Sequence, residues 1–256
     1  MLQRADSADY QQIFLNDVPL LDMRAPSEFE HGSFPTAINL PLMVDDERTQ
    51  VGICYKQHGQ QSAIDLGLQL VSGETKQQRI VGWKHFAEKN PEGYLFCFRG
   101  GLRSQISQQW LRDAGVNFPR IMGGYKAMRH YLIDALSMSC TGHFIVLSGQ
   151  TGCAKTQLLQ ELQHAVDLEK LANHRGSAFG KRVGGQPSQI DFENRLSIAM
   201  LKQRHLHTSL PIILEDESHL IGKILIPDNV MHAMQKAPLV MIETPLEERV
   251  EHTYQN

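Results

Sequence analysis

Cysteine is scarce in this chain of 256 residues: Cys54, Cys97, Cys140 and Cys153 lie far apart, with no CxxC pair among them. That excludes a disulfide framework and a cysteine-rich zinc knuckle, and it points to a reducing compartment. The twelve histidines show no ligand spacing, so no metal centre is certain from the sequence. A net charge of −3 gives no overall basic face, and any nucleic-acid contact must rest on local patches. Tryptophan occurs only at positions 83 and 110, which read as packing anchors rather than base-stacking platforms. No apolar run approaches membrane-spanning length, and the opening Met1 to Asp6 lacks a signal-peptide core; a cytoplasmic chain without membrane contact is expected. There are no repeats or low-complexity tracts. The end lacks a stop signal as well: Pro245 to Asn256 reads as a helix still running, so the last element is expected to be incomplete.

Hydrophobic residues make up 41% of the chain and charged ones 21%, an ordinary globular balance long enough for two modest cores. Short apolar runs alternate with helical patterns. Strands are expected at 19–24, 38–41, 95–97 and, as an edge, 120–122, with helical segments at 26–30, 62–71, from Arg103, and at 125–136. A second alternating series follows, with strands at 143–147, 211–214 and 239–242 and a helix at 157–166. This predicts an α/β fold with parallel sheets and active loops at strand C-termini. The polar patch Ser137 to Gly142 marks the join, giving domains at 1–136 and 143–256 with a linker at 137–142.

Cys97-Phe98-Arg99-Gly100-Gly101-Leu102-Arg103-Ser104 follows an apolar run and precedes a helix. Glycine lets the backbone curl so that successive N–H groups point inward, and a helix N-terminus adds partial positive charge. Cys97 is the candidate nucleophile at the mouth of this cradle, where the same field favours the thiolate. Arg99, Gly100, Gly101, Leu102, Arg103 and Ser104 are the candidate oxyanion holders. The arrangement suits attack on, or carriage of, a chalcogen from an anionic donor; a plain buried strand-end cysteine is the weaker reading.

A second anion site is expected at Gly149-Gln150-Thr151-Gly152-Cys153-Ala154-Lys155-Thr156, between a strand and a helix, as a phosphate-binding P-loop requires. Lys155 would reach the outer oxygens of a di- or triphosphate and Thr156 could ligate Mg²⁺. Ala154 stands where the strict pattern has glycine, which is tolerable if that residue is already helical. Asp216, after the apolar strand ending at Leu214, is the candidate magnesium-orienting carboxylate, with Glu215 and Glu217 beside it. A glycine-rich loop carries Arg175, Lys181 and Arg182, which could hold a nucleic-acid backbone or a second phosphate group, with a solvated basic loop as the nearly equal alternative.

The order of these motifs is familiar. Leu21-Asp22-Met23-Arg24-Ala25-Pro26-Ser27-Glu28-Phe29 and His31-Gly32-Ser33-Phe34-Pro35-Thr36-Ala37-Ile38-Asn39-Leu40-Pro41 resemble the opening signature of rhodanese domains, and Cys97 falls where such domains keep their persulfide-forming cysteine. The seven residues from Cys97 to Arg103 equal the loop of the related cell-cycle phosphatases, which have His where this chain has Phe96. With Leu171-Ala172-Asn173-His174-Arg175-Gly176-Ser177 and Glu215-Asp216-Glu217-Ser218, the whole chain resembles the tRNA 2-selenouridine synthase family. The resemblance implies a rhodanese-like parallel-sheet domain followed by a P-loop NTPase-like α/β domain. It also implies modification of the wobble 2-thiouridine of tRNA. The sulfur is first alkylated with geranyl diphosphate, then replaced by selenium from selenophosphate. On that basis Cys97 accepts or relays selenium as a perselenide-like species, and the Lys155 loop binds the prenyl donor's diphosphate. No tightly bound cofactor is expected, Mg²⁺ is a candidate, and tRNA and a selenophosphate-supplying enzyme are the implied partners.

Three rivals stand beside this reading: a rhodanese-type sulfurtransferase with a nucleotide-binding regulatory domain, a phosphatase, and a non-catalytic tRNA-binding adaptor. Phe96 and the lack of a nearby general acid oppose the phosphatase.

Overall fold

The computed structural model describes residues 4–150, 152–174 and 183–255. The chain forms two compact units, 1–131 and 132–256. In the first, α1 (Tyr10–Leu15) leads to β1 (Leu20–Asp22), α2 (Pro26–His31) and β2 (Ala37–Asn39). A long helical pair, α3 (Asp45–Leu70) and α4 (Gly73–Lys89), precedes β3 (Tyr94–Phe96) and α5 (Leu102–Asp113). The three strands run parallel in the order β2-β1-β3. Single bridges, Leu95 to Arg120 and Ser7 to Ile121, continue that sheet in place of the full edge strand expected at 120–122. Leu21, Met23, Leu95, Trp83 and Trp110 form its core, the two indoles stacked at 6.2 Å.

The apolar positions at 62–71 predict only the last part of α3. Its earlier residues are almost all exposed, so they leave no apolar stripe to read, and the helix breaks at Gly59, whose φ is +82°. α6 (Gly124–Ser139) crosses the division between the units, and helix therefore continues through the first residues of the expected linker.

The second unit holds β4 (Phe144–Gly149), α7 (Lys155–Glu161), β5 (Ala165–Val166), α8 (Leu168–Leu171), α9 (Gln189–Leu206) and β6 (Ile212–Glu215). A small hairpin, β7 (Leu220–Ile221) with β8 (Ile224–Leu225), is followed by α10 (Asp228–Lys236), β9 (Leu239–Ile242) and α11 (Leu246–Gln255). The expected helix at 157–166 ends instead at Glu161. Leu162 turns extended, and Ala165 and Val166 join β6, exchanging helical bonds for a buried parallel pairing. The sheet is parallel in the order β5-β6-β4-β9. Arg204 clasps its entry, donating to the Ser139 and His143 carbonyls while lying 5.0 Å from the Phe144 ring.

Candidate active site

Cys97 leaves β3 at the C-terminal edge of the first sheet, where loops of parallel sheets gather ligands. Cys97 is only 3% exposed yet lines a cavity of about 750 Å³. The thiol donates to Ser104 Oγ at 3.3 Å, and that hydroxyl donates to the Gly101 carbonyl at 2.9 Å. Among the described residues, the N–H groups of residues 98–104 have no backbone carbonyl partner. The last three belong to the first turn of α5, where a helix leaves its donors unpaired. The loop thus presents a row of free donors beside a sulfur, which is what an oxyanion needs.

Close backbone approach fixes the loop's shape. Gly100 has φ +64°, and a Cβ there would lie 2.6 Å from Gly123 N; a Cβ on Gly124 would lie 2.2 Å from Cys97 O. The start of α6 can therefore approach: Tyr125 N–H donates to the Cys97 carbonyl and Lys126 N–H to that of Phe98, both at 2.9 Å. Arg120 donates to the Gly100 carbonyl at 3.1 Å and is itself gripped by Asp6, Nε to Oδ2 at 2.7 Å. These braces were missed in sequence; the glycine pair at 123–124 was the available signal.

Arg103, expected to face the anion, is instead paired with Glu28 through two bonds of 2.6 and 3.1 Å. Burial works against the Arg103 charge, but Glu28 outweighs it, with Cys97 and Asp22 adding to the attraction. Burial likewise opposes the Glu28 charge, yet Arg103, the Ala25 N–H and Arg48 hold that carboxyl below its ordinary range. Glu28 is placed in turn by Arg24, which joins Asp22 at 2.6 Å, donates to the Glu28 and Gly32 carbonyls, and lies 3.8 Å from the Tyr125 ring. Arg99 is exposed and lines the cavity, as do Gly101 and Leu102. Arg99, rather than Arg103, is thus the cation of this loop without an ion-pair partner among the described residues.

In the second unit the loop after β4 turns through Gly152, φ +84°. Among the described residues, the N–H groups of Gly152, Ala154, Lys155 and Thr156 have no backbone partner. Ala154 is not helical, as the sequence reading required; it sits left-handed at φ 60°, ψ 27°, the conformation that favours the glycine of the strict pattern. Lys155 Nζ donates across the loop to the Gly149 carbonyl. Cys153 is buried, and a Cβ on Gly149 would lie 2.5 Å from its sulfur; its N–H donates to the Gln150 carbonyl at 3.1 Å, so neither its thiol nor its amide is offered to an anion. Gln150 is exposed and accepts from Arg249, and Thr156 is half-buried beside Lys155. Thr151, Arg175, Lys181 and Arg182 lie outside the described residues.

Because β6 lies beside β4, Asp216 reaches the loop's edge and accepts from Ser148 Oγ at 2.6 Å. Glu169, Glu215 and Glu217 bring carboxylate oxygens within 4.8 Å of one another. Burial pushes Glu215 up to about 9, and burial with the Glu169 charge pushes Glu217 up to about 7. Oxygen-only donors of this kind fit a hard divalent ion such as Mg²⁺.

Residues 142–256 match the model of the tRNA 2-selenouridine synthase AAA domain. Proteins named tRNA 2-selenouridine synthase from Hahella chejuensis and Marinobacter nauticus are each 58% identical to the chain over 98% of its length, which is 66% and 68% of theirs. The Pseudomonas syringae pv. syringae B728a protein of that name is 56% identical over 96% of the chain and 67% of its own length. This chain belongs to the tRNA 2-selenouridine synthase family. It spans about two thirds of the length of these curated relatives. Membership accounts for the mixed α/β architecture with a P-loop-like second unit; no helix among the described residues is long and apolar enough to cross a membrane.

Proposed function

We propose that the protein replaces the wobble 2-thio sulfur of tRNA by selenium, through an S-geranyl intermediate, using selenophosphate and geranyl diphosphate. The observation that carries the reading is Cys97, a sulfur facing a cavity at the head of a loop whose free N–H groups suit an oxyanion. The parallel sheet, the cysteine at the end of β3 and the loop leading into α5 support a rhodanese-like first unit. The family's name supplies the tRNA substrate.

The chemistry divides between the loops. Sulfide dianion is a poor leaving group, whereas an alkanethiolate leaves readily, so alkylation must come first. Lys155, Thr156 and the backbone from Gly149 to Thr156 would hold the diphosphate of the prenyl donor and stabilise it as it departs. Asp216 and Thr156 would hold Mg²⁺ there, which when bound supplies charge to the departing diphosphate. In the second step, selenium attacks C2 of the alkylated base. The C2–Se bond forms, the C2–S bond breaks with its electrons on sulfur, and the thiolate takes a proton from water. If selenophosphate attacks directly, water then cleaves the P–Se bond and releases phosphate, with no net redox change. A perselenide on Cys97 lies two electrons above selenophosphate, and loading it would require a two-electron acceptor such as a disulfide. We therefore take the loop to hold selenophosphate, Arg99 to face its charge, and Cys97 to lie against its selenium. Arg175, Lys181 and Arg182 remain the proposed backbone contacts to tRNA.

Nucleoside mass spectrometry tests this directly. Thiolated tRNA given geranyl diphosphate should gain one geranyl group, and adding selenophosphate without any nucleotide should convert it to 2-selenouridine. Lys155→Ala should lose geranylation yet still selenate pre-geranylated tRNA; the reverse pattern refutes the division of labour. Thiosulfate:cyanide turnover gated by ATP, with no change in the tRNA base, would favour the regulated sulfurtransferase.

A further inference from the structure

The cavity beside Cys97 is larger and more apolar than an oxyanion site requires. Its volume is about 750 Å³, and Leu42, Val51, Ile64, Leu68 and Trp110 line it along with the Cys97 loop. A pocket of this size and lining is the kind that encloses a largely apolar ligand. Selenophosphate can be held by the loop's N–H groups and Arg99 alone, and apolar walls would only cost it solvation. The walls must serve a different chemical group from the one the loop serves.

Charge shows how such a group is presented. Of the lining residues only Glu28 is acidic, and it is paired with Arg103 and Arg48. The exposed Arg99 leaves positive charge beside Cys97, while α3 and the core of the first unit supply the greasy part. The surface thus divides in two: apolar walls that suit an alkyl chain and, beside them, a cationic loop that suits a separate anion. Every residue that lines the cavity belongs to the first unit.

We infer that this cavity seats the apolar alkyl chain carried on the substrate sulfur, which aims the C2–S bond at the Cys97 loop and makes the first unit the gauge of that chain. The inference rests on the proposed alkyl-sulfur chemistry and assigns its lipid portion a place. Two terpenoid-sized properties follow: short alkyl groups leave the walls unfilled, and a charge planted in the wall expels the chain without touching the anion loop.

The test uses two free nucleosides that differ only in the chain, S-geranyl-2-thiouridine and S-methyl-2-thiouridine. Of the two tryptophans only Trp110 lines the cavity, so intrinsic fluorescence reports its occupancy. The intact protein should bind the geranyl nucleoside about tenfold or more tighter than the methyl one, since each methylene removed from water adds affinity. Leu68 is 44% exposed, so Leu68→Glu should fold normally by circular dichroism and abolish that preference while leaving the methyl nucleoside unaffected. Ile64→Asn serves as the second wall variant. Equal binding of the two nucleosides, or an undiminished preference in both folded variants, overturns the inference. Selenation of geranylated and methylated tRNA is measured in parallel. Conversion of both at equal rates, with no binding preference, sinks the cavity and spares the proposed function. A clear preference without any selenation does the opposite.

Discussion

The Cys97 loop and the Lys155 loop each leave a parallel strand and enter a helix, yet their backbones are tensioned differently. In the first, left-handed geometry falls on Gly100 and Gly124, and neighbouring elements brace the turn: Arg120 on the Gly100 carbonyl, α6 on those of Cys97 and Phe98. In the second it falls partly on Ala154, an L-residue held where glycine is more comfortable. Electrostatics differ too. Acids near Cys97 are paired with arginine, whereas those near Lys155 crowd one another in a buried cluster. One loop is built to hold a fixed shape before an anion arrives. The other holds crowded carboxylates whose repulsion a bound cation would relieve.

The strongest way to break that comparison is at the sulfur. Cys97→Ser should lower selenium incorporation by at least about 100-fold, with geranylation and unfolding midpoint near those of the parent. Nucleoside mass spectrometry and thermal unfolding measure the two; full selenation by the variant would end the assignment. Next comes the glycine brace. Gly124→Ala places a methyl 2.2 Å from Cys97 O at a φ of +60°, and should cost on the order of 2–4 kcal/mol in denaturant unfolding. A neutral result would mean that α6 does not hold the loop.

Acid and base should separate the units further. Glu28 has its folded value lowered, so its contribution is present above its ordinary 4.5 and is lost as pH falls through the lower folded value. Glu28→Gln should therefore be less stable than the parent at neutral pH and converge with it in acid. Glu215 is raised to about 9: between its ordinary 4.5 and that value the folded chain keeps a proton the unfolded chain has released. Stability then falls as pH rises through that window, and Glu215→Gln, in magnesium-free buffer, should gain on the parent between pH 5 and 9. Parallel pH curves for parent and variants would contradict the contrast. The smallest expected effect is at Ala154. Relief of the left-handed strain, about 1–2 kcal/mol, is partly offset by glycine's greater unfolded-state entropy, so Ala154→Gly should stabilise by about 0.5–1 kcal/mol. A loss of stability would show that the alanine is at ease.

Much of this architecture was legible in the residues themselves. Alternating apolar runs and helical patterns announced two parallel α/β units, and the strand–Gly–helix contexts of Cys97 and Lys155 located both loops, because anion cradles depend on local backbone chemistry. The motif order alone was enough to suggest the family. The mostly exposed first part of α3 was not legible, since a helix that packs little more than Val51 against the core carries no periodic signal. Nor was the strand at Ala165 and Val166, which exists only because β6 offers it a partner.

Tertiary structure decided what lies far apart in sequence. It took Arg103 from the anion and gave it to Glu28, set Asp216 beside Ser148, and placed Ala154 in a left-handed turn. It also hollowed an apolar chamber next to Cys97 from residues of α3, α5 and the strand ends. Sequence fixes which groups can cradle charge within a few residues. Which distant side chains neutralise one another, and where empty space remains, depends on how the elements pack.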